Sequence, residues 1–443
     1  KDSLVIPYGQ TYNVTFKTGM AGTYFYWAST SNLKDEGQPY FDDSQLHGAL
    51  IIDPINKKPD PEERIMIIGV WDDTLNRGTT GNEEMVINGL TWPYTERLNY
   101  RQDQKVHWRV INASAHSHPM HLHGFFFSVN SKGTANEDTI YEKPYQRLAV
   151  TELLRPGETM SMSWTPEREG NWLFHCHTLL HIMPWSFLRT IPAMDDQHMK
   201  LSAHAIDGMA GLIMGIHVSP SVKESKKISG ETAQRNLTLI VQEQVNRVDT
   251  FSKKAFVLYE GKGASLLKQP SIPGPPIILN RDEPVSIKII NRLHEPTSIH
   301  WHGLEIESYF DGVAGWGNRG KELTPLIMPG DSFIVYMTPP QSGTFIYHTH
   351  MHNGQLLAGM YGPLLVAEPE EKYNAHTNKI FLISNGGDLN TSNVLLNGTG
   401  KPGSMQLNAG TKYRLRLINI MALSGSYKVS FLFNKKAVYW VEI

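Results

Sequence analysis

The chain has 443 residues, 40% of them hydrophobic, and 41 basic residues stand against 43 acidic ones. This length predicts three or four domains of roughly 100–150 residues, each able to bury a core of its own. The near-neutral charge without a basic run argues against nucleic acid and against an anionic membrane surface as partners, and no apolar run reaches the about 18 residues of a membrane-spanning helix.

One strand pattern occurs three times, at 6–30, 155–177 and 328–350: a turn with glycine, an alternating strand, a second glycine and an aromatic strand. Five and seven residues after the second glycine, the two later copies have histidines and the first copy does not. In chain order, these positions are Trp27 and Ser29, His175 and His177, and His348 and His350. The repeat therefore predicts equivalent strands of which only some carry metal ligands.

A second pattern, a strand that ends in Ile-Asn, also occurs three times, at 107–112, 286–291 and 414–419. Nine and eleven residues after the asparagine, the first two copies have histidines and the third has a lysine and a serine. In chain order, these residues are His121 and His123, His300 and His302, and Lys428 and Ser430. Copies with and without ligands therefore alternate along the chain.

The repeats, with short alternating strands, Pro/Gly turns and a period of roughly 120–150 residues, predict an all-β fold of tandem Greek-key β-sandwiches. The predicted domains are a truncated one without ligands at 1–60, two with ligands at 61–220 and 230–370, and a truncated one without evident ligands at 371–443. The polar segment 219–235 is predicted to be a linker. Because the chain starts without Met and ends inside a strand pattern, we expect residues to be missing at both ends.

The single cysteine, Cys176, lies between His175 and His177. Because side chains alternate along a strand, the thiol faces one side and the two imidazoles face the other, so one strand can serve two metal sites. A thiolate with two imidazoles and a weak thioether is the ligand set of a blue-copper electron-transfer site. Cys176, with His181 five residues on and the distant His118, supplies the thiolate and both imidazoles.

Four His-x-His pairs each place both imidazoles on one face of a strand, where they can hold a metal between strands. A purely structural role suits a lone histidine better than four pairs at matching positions of a repeat. Enough ligands for about three copper ions are present. The eight histidines are His121, His123, His175, His177, His300, His302, His348 and His350.

The segments HPMHLH (118–123), HCHTLLH (175–181), HWHG (300–303) and HTH (348–350) resemble the metal-binding motifs of the multicopper oxidases, a laccase-like family built from cupredoxin domains. The resemblance covers most of the chain and is most specific over 61–370. It implies about four copper ions as the cofactor. The implied ligands are His118, Cys176 and His181 for a type 1 copper, His121 and His300 for a type 2 copper, and His123, His175, His177, His302, His348 and His350 for a binuclear type 3 pair.

In three-domain members of this family the half with HWHG comes first, whereas here the half with Cys176 comes first. This order implies that the cluster forms between the second and third domains. Asp311, nine residues after His302, resembles the family's acid near the cluster, which would relay protons through water. The alternative is an ordinary turn residue before Gly312.

The family's axial methionine usually lies five residues after the last histidine of the cysteine motif, and here that position is Ser186. A Met-rich stretch follows, in which Met209 lies five residues after His204 and matches Met360 in the repeat. Met209 is therefore the predicted axial ligand, and His204 is an alternative to His181. A site without a strong axial ligand, which tends to have a raised reduction potential, is the third possibility.

The resemblance implies outer-sphere oxidation of a phenolic or other aromatic reductant near His118 and His181, and reduction of dioxygen to water at the cluster. Electrons would pass from Cys176 to His175 and His177. A metal-ion oxidase of the same family, acting on Cu(I) or Fe(II), is the alternative. Copper nitrite reductase is less favoured, because its single three-histidine copper does not need eight paired histidines. A non-enzymatic copper-binding protein is also less favoured, because it would not need a cysteine flanked by two cluster ligands. The family further implies an extracellular or periplasmic location, and cluster formation within one chain or between chains of an oligomer both stay open.

Overall fold

The structure, a computed structural model, describes most of the chain. The described residues are 4–29, 46–58, 60–72, 83–183, 208–221, 235–244, 254–261, 269–351, 353–386, 393–400, 402–422, 428–433 and 436–442. His204 and residues 222–234 of the predicted linker 219–235 lie outside them.

The described residues form mainly β-strands. In the first half of the chain these are β1 (Gly22–Trp27), β2 (His47–Ile52), β3 (Arg64–Asp72), β4 (Glu83–Ile87), β5 (Arg97–Arg101), β6 (Val106–Asn112), β7 (His118–Leu122), β8 (Phe127–Thr134), β9 (Asp138–Ile140), β10 (Arg147–Ala149), β11 (Thr151–Leu154), β12 (Glu158–Trp164), β13 (Gly170–Cys176) and β14 (Ile213–Ser219). In the second half they are β15 (Arg235–Glu243), β16 (Lys254–Glu260), β17 (Ile277–Asn280), β18 (Val285–Asn291), β19 (Ile299–His302), β20 (Asn318–Arg319), β21 (Glu322–Leu323), β22 (Ser332–Met337), β23 (Gly343–Thr349), β24 (Tyr361–Ala367), β25 (Asn378–Gly386), β26 (Asn393–Leu396), β27 (Arg414–Ile420), β28 (Lys428–Phe433) and β29 (Lys436–Glu442). The described helical segments are α1 (Asn353–Leu357) and 3-10 turns at Lys143–Tyr145, Leu179–His181 and Ser308–Phe310.

The first β-sandwich packs a seven-stranded sheet on a five-stranded one. The larger sheet has the order β10-β8-β12-β6-β3-β4, with β9 paired to β8, and the smaller sheet has the order β11-β7-β13-β14-β5. On β6, Trp108 and Val110 are fully buried between the sheets, while His107 and Arg109 face the other side. Trp108 meets Phe174 of the smaller sheet with ring centroids 5.0 Å apart. Burial of each large apolar side chain of this kind contributes about 1.5–3 kcal/mol.

The second β-sandwich repeats this arrangement with four-stranded sheets, β16-β15-β18-β22 and β17-β24-β23-β19. Its parallel pairs, β15 with β18 and β17 with β24, match the pairs β3 with β6 and β5 with β14 of the first sandwich. The pattern begins again in the sheet β26-β25-β27, where β25 and β27 are parallel. The predicted all-β fold of tandem cupredoxin-like β-sandwiches is confirmed.

The Ile-Asn pattern at the end of these strands has a physical cause in the turn that follows. Asn112 and Asn291 are fully buried, and each side-chain amide donates two hydrogen bonds of 2.7–3.0 Å, one to a carbonyl oxygen of the turn and one to a carbonyl oxygen of a segment distant in sequence. Their side-chain oxygens accept the backbone N–H two residues later, as in an Asx turn. The turns come just before β7 and β19, and so lead directly into the strands that carry His121 and His300.

Strands β1 and β2 pair with each other and lie on the outer face of the seven-stranded sheet. The backbone N–H of Thr23 donates to Asp138 at 2.7 Å, and Arg109 donates to the Thr23 hydroxyl at 2.8 Å. The predicted domain boundaries stay a prediction. No helix among the described residues has the length and apolar character needed to cross a membrane.

Candidate metal centre

The only cysteine forms a three-residue group with two histidines. His118 begins β7, Cys176 ends β13, and His181 lies in the 3-10 turn Leu179–His181. The sulfur of Cys176 lies 3.7 Å from Nδ1 of His118 and 3.4 Å from Nδ1 of His181, and the two Nδ1 atoms are 3.0 Å apart. All three residues are buried. Three donor atoms therefore converge on one point, as a trigonal His₂Cys site requires.

Hydrogen bonds around His118 settle which nitrogen faces the sulfur. The Ser114 hydroxyl donates to Oδ1 of Asn112 at 2.8 Å, so its oxygen can accept the Nε2–H of His118 at 2.7 Å. The lone pair of His118 then lies on Nδ1, on the side of Cys176. The backbone N–H of Thr178 lies 3.4 Å from the sulfur. Through Ser114, the Asx turn of Asn112 therefore orients the candidate ligand His118.

Burial keeps the protein groups of this site uncharged at neutral pH. It raises the pKa of the Cys176 thiol to about 12 and lowers the pKa of His181 to about 3. The pKa of His118 is also well below its usual value, because of burial and then the neighbouring His181. A bound cation would lower the pKa of the Cys176 thiol, since a thiol that coordinates a metal ion loses its proton.

All eight paired histidines lie together, on the opposite face of β13 from Cys176. Strand pairing aligns His121 with His175 in the first sandwich and His300 with His348 in the second. Rings also meet across the two sandwiches, with centroids 3.8 Å apart for His121 and His302 and 4.1 Å apart for His123 and His300. The remaining histidines are within the same cluster, as ring contacts of His177 and His350 show. The cluster lies between the second and third predicted domains.

Oxygen acceptors fix the tautomer of five of these rings. In each, Nδ1–H donates to an oxygen at 2.7–2.8 Å, which leaves the lone pair on Nε2. The pairs are His121 with the carbonyl of Val150, His123 with the carboxylate of Asp311, His175 with the carbonyl of Cys176, His300 with the carbonyl of Asp311, and His348 with the carbonyl of Thr349.

These tautomers bring lone pairs face to face. Nε2 of His123 lies 2.9 Å from Nε2 of His175, and Nε2 of His121 lies 3.4 Å from Nε2 of His300. A shared proton is unavailable at neutral pH, because burial lowers the pKa of His175 to about 4 and the pKa of His123 well below its usual value. A cation between the nitrogens removes the repulsion. The donor set fits copper, which imidazole nitrogen suits.

Two further nitrogens support the same conclusion. Nδ1 of His302 and Nε2 of His348 are buried and have no hydrogen-bond partner among the residues that the structure describes. Together with His177, these residues form a group whose ligand atoms all lie within 4.8 Å of one another. Buried imidazole nitrogens without partners cost free energy unless a ligand satisfies them. The His177–His302–His348 group is therefore a second place where a metal ion fits.

The sequence-based division of the cluster into type 2 and type 3 ligands stays a prediction. The described geometry contains compatible groups: His121 lies with His300 and His302, while His177 lies with His302 and His348. His350 lies at the other end, with ring centroids 5.2 Å from His123 and 5.9 Å from His175.

Asp311 contacts both halves of the cluster. Its carboxylate accepts a hydrogen bond from Nδ1 of His123 at 2.7 Å, and its backbone carbonyl accepts one from Nδ1 of His300. The next residue, Gly312, has φ +95°, and a Cβ there would lie 1.9 Å from the carbonyl oxygen of Ile299. This turn holds Asp311 only 2% exposed beneath the two rings. The predicted proton relay stays a prediction, and the contacts add a role in orienting ligands.

Met209 is buried in an apolar cluster with Trp92, Leu173, Ile213 and Val313. Cys176 belongs to the larger core cluster of the first sandwich, beside it. Met209 as the axial ligand stays a prediction. His204, the predicted alternative to His181, lies outside the described part of the chain.

Sequence reasoning missed three residues beside the candidate ligands. Thr151 lies within 3.2 Å of ring nitrogens of two cluster histidines, and Ser114 contacts His118. His116 packs against His181 with ring centroids 5.3 Å apart, and its Nε2 lies 3.1 Å from the carboxylate of Glu83. Only Ser114 had a sequence signal, because it lies two residues after an Ile-Asn asparagine.

Comparison with known proteins agrees with this geometry. Two family models described as multicopper oxidase match residues 67–191 and 255–371, which together are more than half of the chain. Copper resistance protein A of Escherichia coli is 31% identical over 125 residues, 28% of this chain and 20% of that protein. Laccase-2 of Botryotinia fuckeliana is 32% identical over 184 residues, 34% of this chain and 30% of that protein.

A solved multicopper oxidase from Pseudomonas thermotolerans is 23% identical, with a TM-score of 0.34 over 44% of this chain and 48% of that one. The chain therefore matches a fifth to a third of the two curated relatives and about half of this structure. The motifs, the two matched β-sandwiches and the convergence of Cys176 and eight histidines lead to one conclusion: the chain belongs to the multicopper oxidase family.

Proposed function

We propose that this protein is an oxidoreductase that oxidises phenolic or other aromatic reductants in one-electron steps and reduces dioxygen to water. One observation carries the proposal: Cys176 of the three-residue site and His175 of the eight-histidine cluster are neighbours in β13, with side chains on opposite faces. Bound copper, about four ions by family resemblance, would supply the one-electron chemistry and the affinity for dioxygen.

The side chains of the protein prepare both sites for this chemistry. Burial of Cys176 and the cluster excludes bulk water and removes competing protons from the donor nitrogens. The carbonyl and carboxylate acceptors hold the rings in the tautomer that binds metal. Cys176 and His175 are joined by one peptide unit, and this continuity gives electrons a short covalent connection between the sites.

A metal-ion reductant, Fe(II) or Cu(I), is the second candidate. The side chains of His116 and Glu83 are 34% and 39% exposed, and His116 contacts the candidate ligand His181. The hydrogen bond from His116 lowers the pKa of Glu83, so a carboxylate and an imidazole face solvent beside the cysteine site. A carboxylate and an imidazole bind a metal-ion reductant more favourably than an apolar aromatic reductant.

A cleft of about 720 Å³ between the two sandwiches does not decide between these reductants. Phe126, Trp164, Leu148 and Glu305 are among the residues that line it, and neither His118 nor His181 is. We further propose an extracellular or periplasmic location, following the family.

The test is copper analysis of the purified chain together with oxygen consumption. We expect about four copper ions per chain, the blue colour of a copper–thiolate bond, and oxygen uptake with a phenol, with Fe(II) or with Cu(I). A single bound copper, or oxygen uptake with none of these reductants, would contradict the proposal. Nitrite reduction without oxygen uptake would favour a copper nitrite reductase, and copper binding without any turnover would favour a non-enzymatic protein.

A further inference from the structure

Thr151 is the first residue of β11 and lies directly opposite His121 in the antiparallel pairing with β7. Its hydroxyl oxygen lies 3.2 Å from Nδ1 of His121 and 3.1 Å from Nε2 of His302. His121 belongs to the first β-sandwich and His302 to the second. One hydroxyl therefore bridges the two halves of the cluster.

The two rings that Thr151 contacts also stack on each other, with centroids 3.8 Å apart and planes 19° apart. Stacking restrains the distance between the rings but leaves each free to slide and turn within its plane. The hydroxyl removes this freedom for His302, because Nε2 of that ring has Thr151 as its described hydrogen-bond partner. His121 has a second anchor in the carbonyl of Val150 at 2.7 Å.

Counting protons shows what the hydroxyl does for His302. If Thr151 donated its proton to Nε2, then Nδ1 of His302 would carry the ring proton, buried and without an acceptor among the described residues. If Thr151 accepts the Nε2–H, the lone pair lies on Nδ1, where it is available to a metal ion shared with His177 and His348. The second arrangement leaves no buried N–H unsatisfied, and the half-buried Thr151 can donate its own hydroxyl proton to solvent, so it is the more stable one.

We propose that Thr151 is a positioning residue that fixes the tautomer and orientation of His302 and so retains copper at the His177–His302–His348 group. The inference rests on the proposed copper-dependent function. It concerns a residue that is no ligand itself, on a strand that carries none of the motif histidines. Partners of this kind typically change metal affinity about 10–100-fold when they are removed.

The test compares two substitutions that separate the hydroxyl of Thr151 from its β-branched shape. Thr151→Val keeps the β-branched shape and removes the hydroxyl, whereas Thr151→Ser keeps the hydroxyl. Copper per chain is measured after dialysis against a chelator, together with the rate at which copper appears in a coloured chelator complex. The blue absorption of the Cys176 site serves as an internal reference for folding, because that site lies on the opposite face of β13.

We expect Thr151→Val to retain the blue absorption, to hold less copper after dialysis and to release the lost fraction about 10–100-fold faster than wild type. Thr151→Ser should match wild type. Equal retention in all three proteins would overturn the inference and leave the proposed function standing, as would equal loss in both variants. A wild-type chain that binds no copper would overturn the proposed function, and the inference with it.

Discussion

Replacement of Asn291 by alanine tests the idea that the Ile-Asn turns hold the histidine strands in place. Asn291 is fully buried and makes three described hydrogen bonds through its side chain: two to carbonyl oxygens of Glu295 and Ile327 and one from the N–H of Leu293. Alanine removes all three and leaves the backbone groups without these partners. Asn419, its equivalent in the third copy, is only half-buried and has one such bond described, from the N–H of Met421.

The expected magnitudes follow from these hydrogen bonds. At about 1 kcal/mol for each bond lost, Asn291→Ala should lower the free energy of local opening by about 3 kcal/mol. Asn419→Ala should have a smaller effect, because Asn419 is half-buried and water can replace part of its hydrogen bonding. When a segment opens and closes faster than its amides exchange, the exchange rate follows the opening equilibrium. A loss of about 3 kcal/mol in the free energy of opening then makes amide exchange about 100-fold faster. The protein is multi-domain, so a single global unfolding free energy would not isolate the effect.

Native-state hydrogen exchange read by mass spectrometry provides the local measurement. Peptides that cover 285–302 should exchange about 100-fold faster in Asn291→Ala, while peptides from the first sandwich should be unchanged. In Asn419→Ala the acceleration should be smaller and confined to the third copy. Unchanged exchange over 285–302, or equal effects of both substitutions on their own segments, would refute the reasoning.

Three further predictions concern the sites and the surface. Cys176→Ser should abolish the blue colour and turnover while copper stays bound to the eight histidines; a blue variant would contradict the assignment of the sulfur. Glu83→Gln should lower kcat/KM for Fe(II) or Cu(I) about tenfold, a loss of about 1.4 kcal/mol, and leave kcat/KM for a phenol unchanged; equal values with metal ions would remove the argument for that reductant. Glu63 is partly buried, which raises its pKa, but His107 and Arg109 outweigh this and lower it from 4.5 to about 2. The folded-state pKa is depressed, so the stability that Glu63 contributes is present above pH 4.5 and is lost as pH falls towards 2. Glu63→Gln should therefore be less heat-stable than wild type at pH 7 and equal to it near pH 2, and a constant difference in Tm across that range would count against the ion pairs.

Local sequence determined which side chains of one strand lie on the same face. The period of two residues along a strand separates Cys176 from His175 and places the partners of each His-x-His pair on one face, so the motifs alone predicted both sites. The strand pattern that ends in Ile-Asn likewise located His121 and His300 at the same distance after an asparagine. The all-β repeat followed from the same alternation and from the regular spacing of turns.

Tertiary structure alone decided the contacts between elements far apart in the chain. Asp311 reaches His123 across 188 residues, and Thr151 reaches His302 across 151. No local periodicity encodes such contacts, because they depend on how one β-sandwich is placed against the other. For the same reason sequence spacing alone did not identify the hydrogen-bond partners of the cluster histidines, and these partners are the groups that leave the ring nitrogens free for metal.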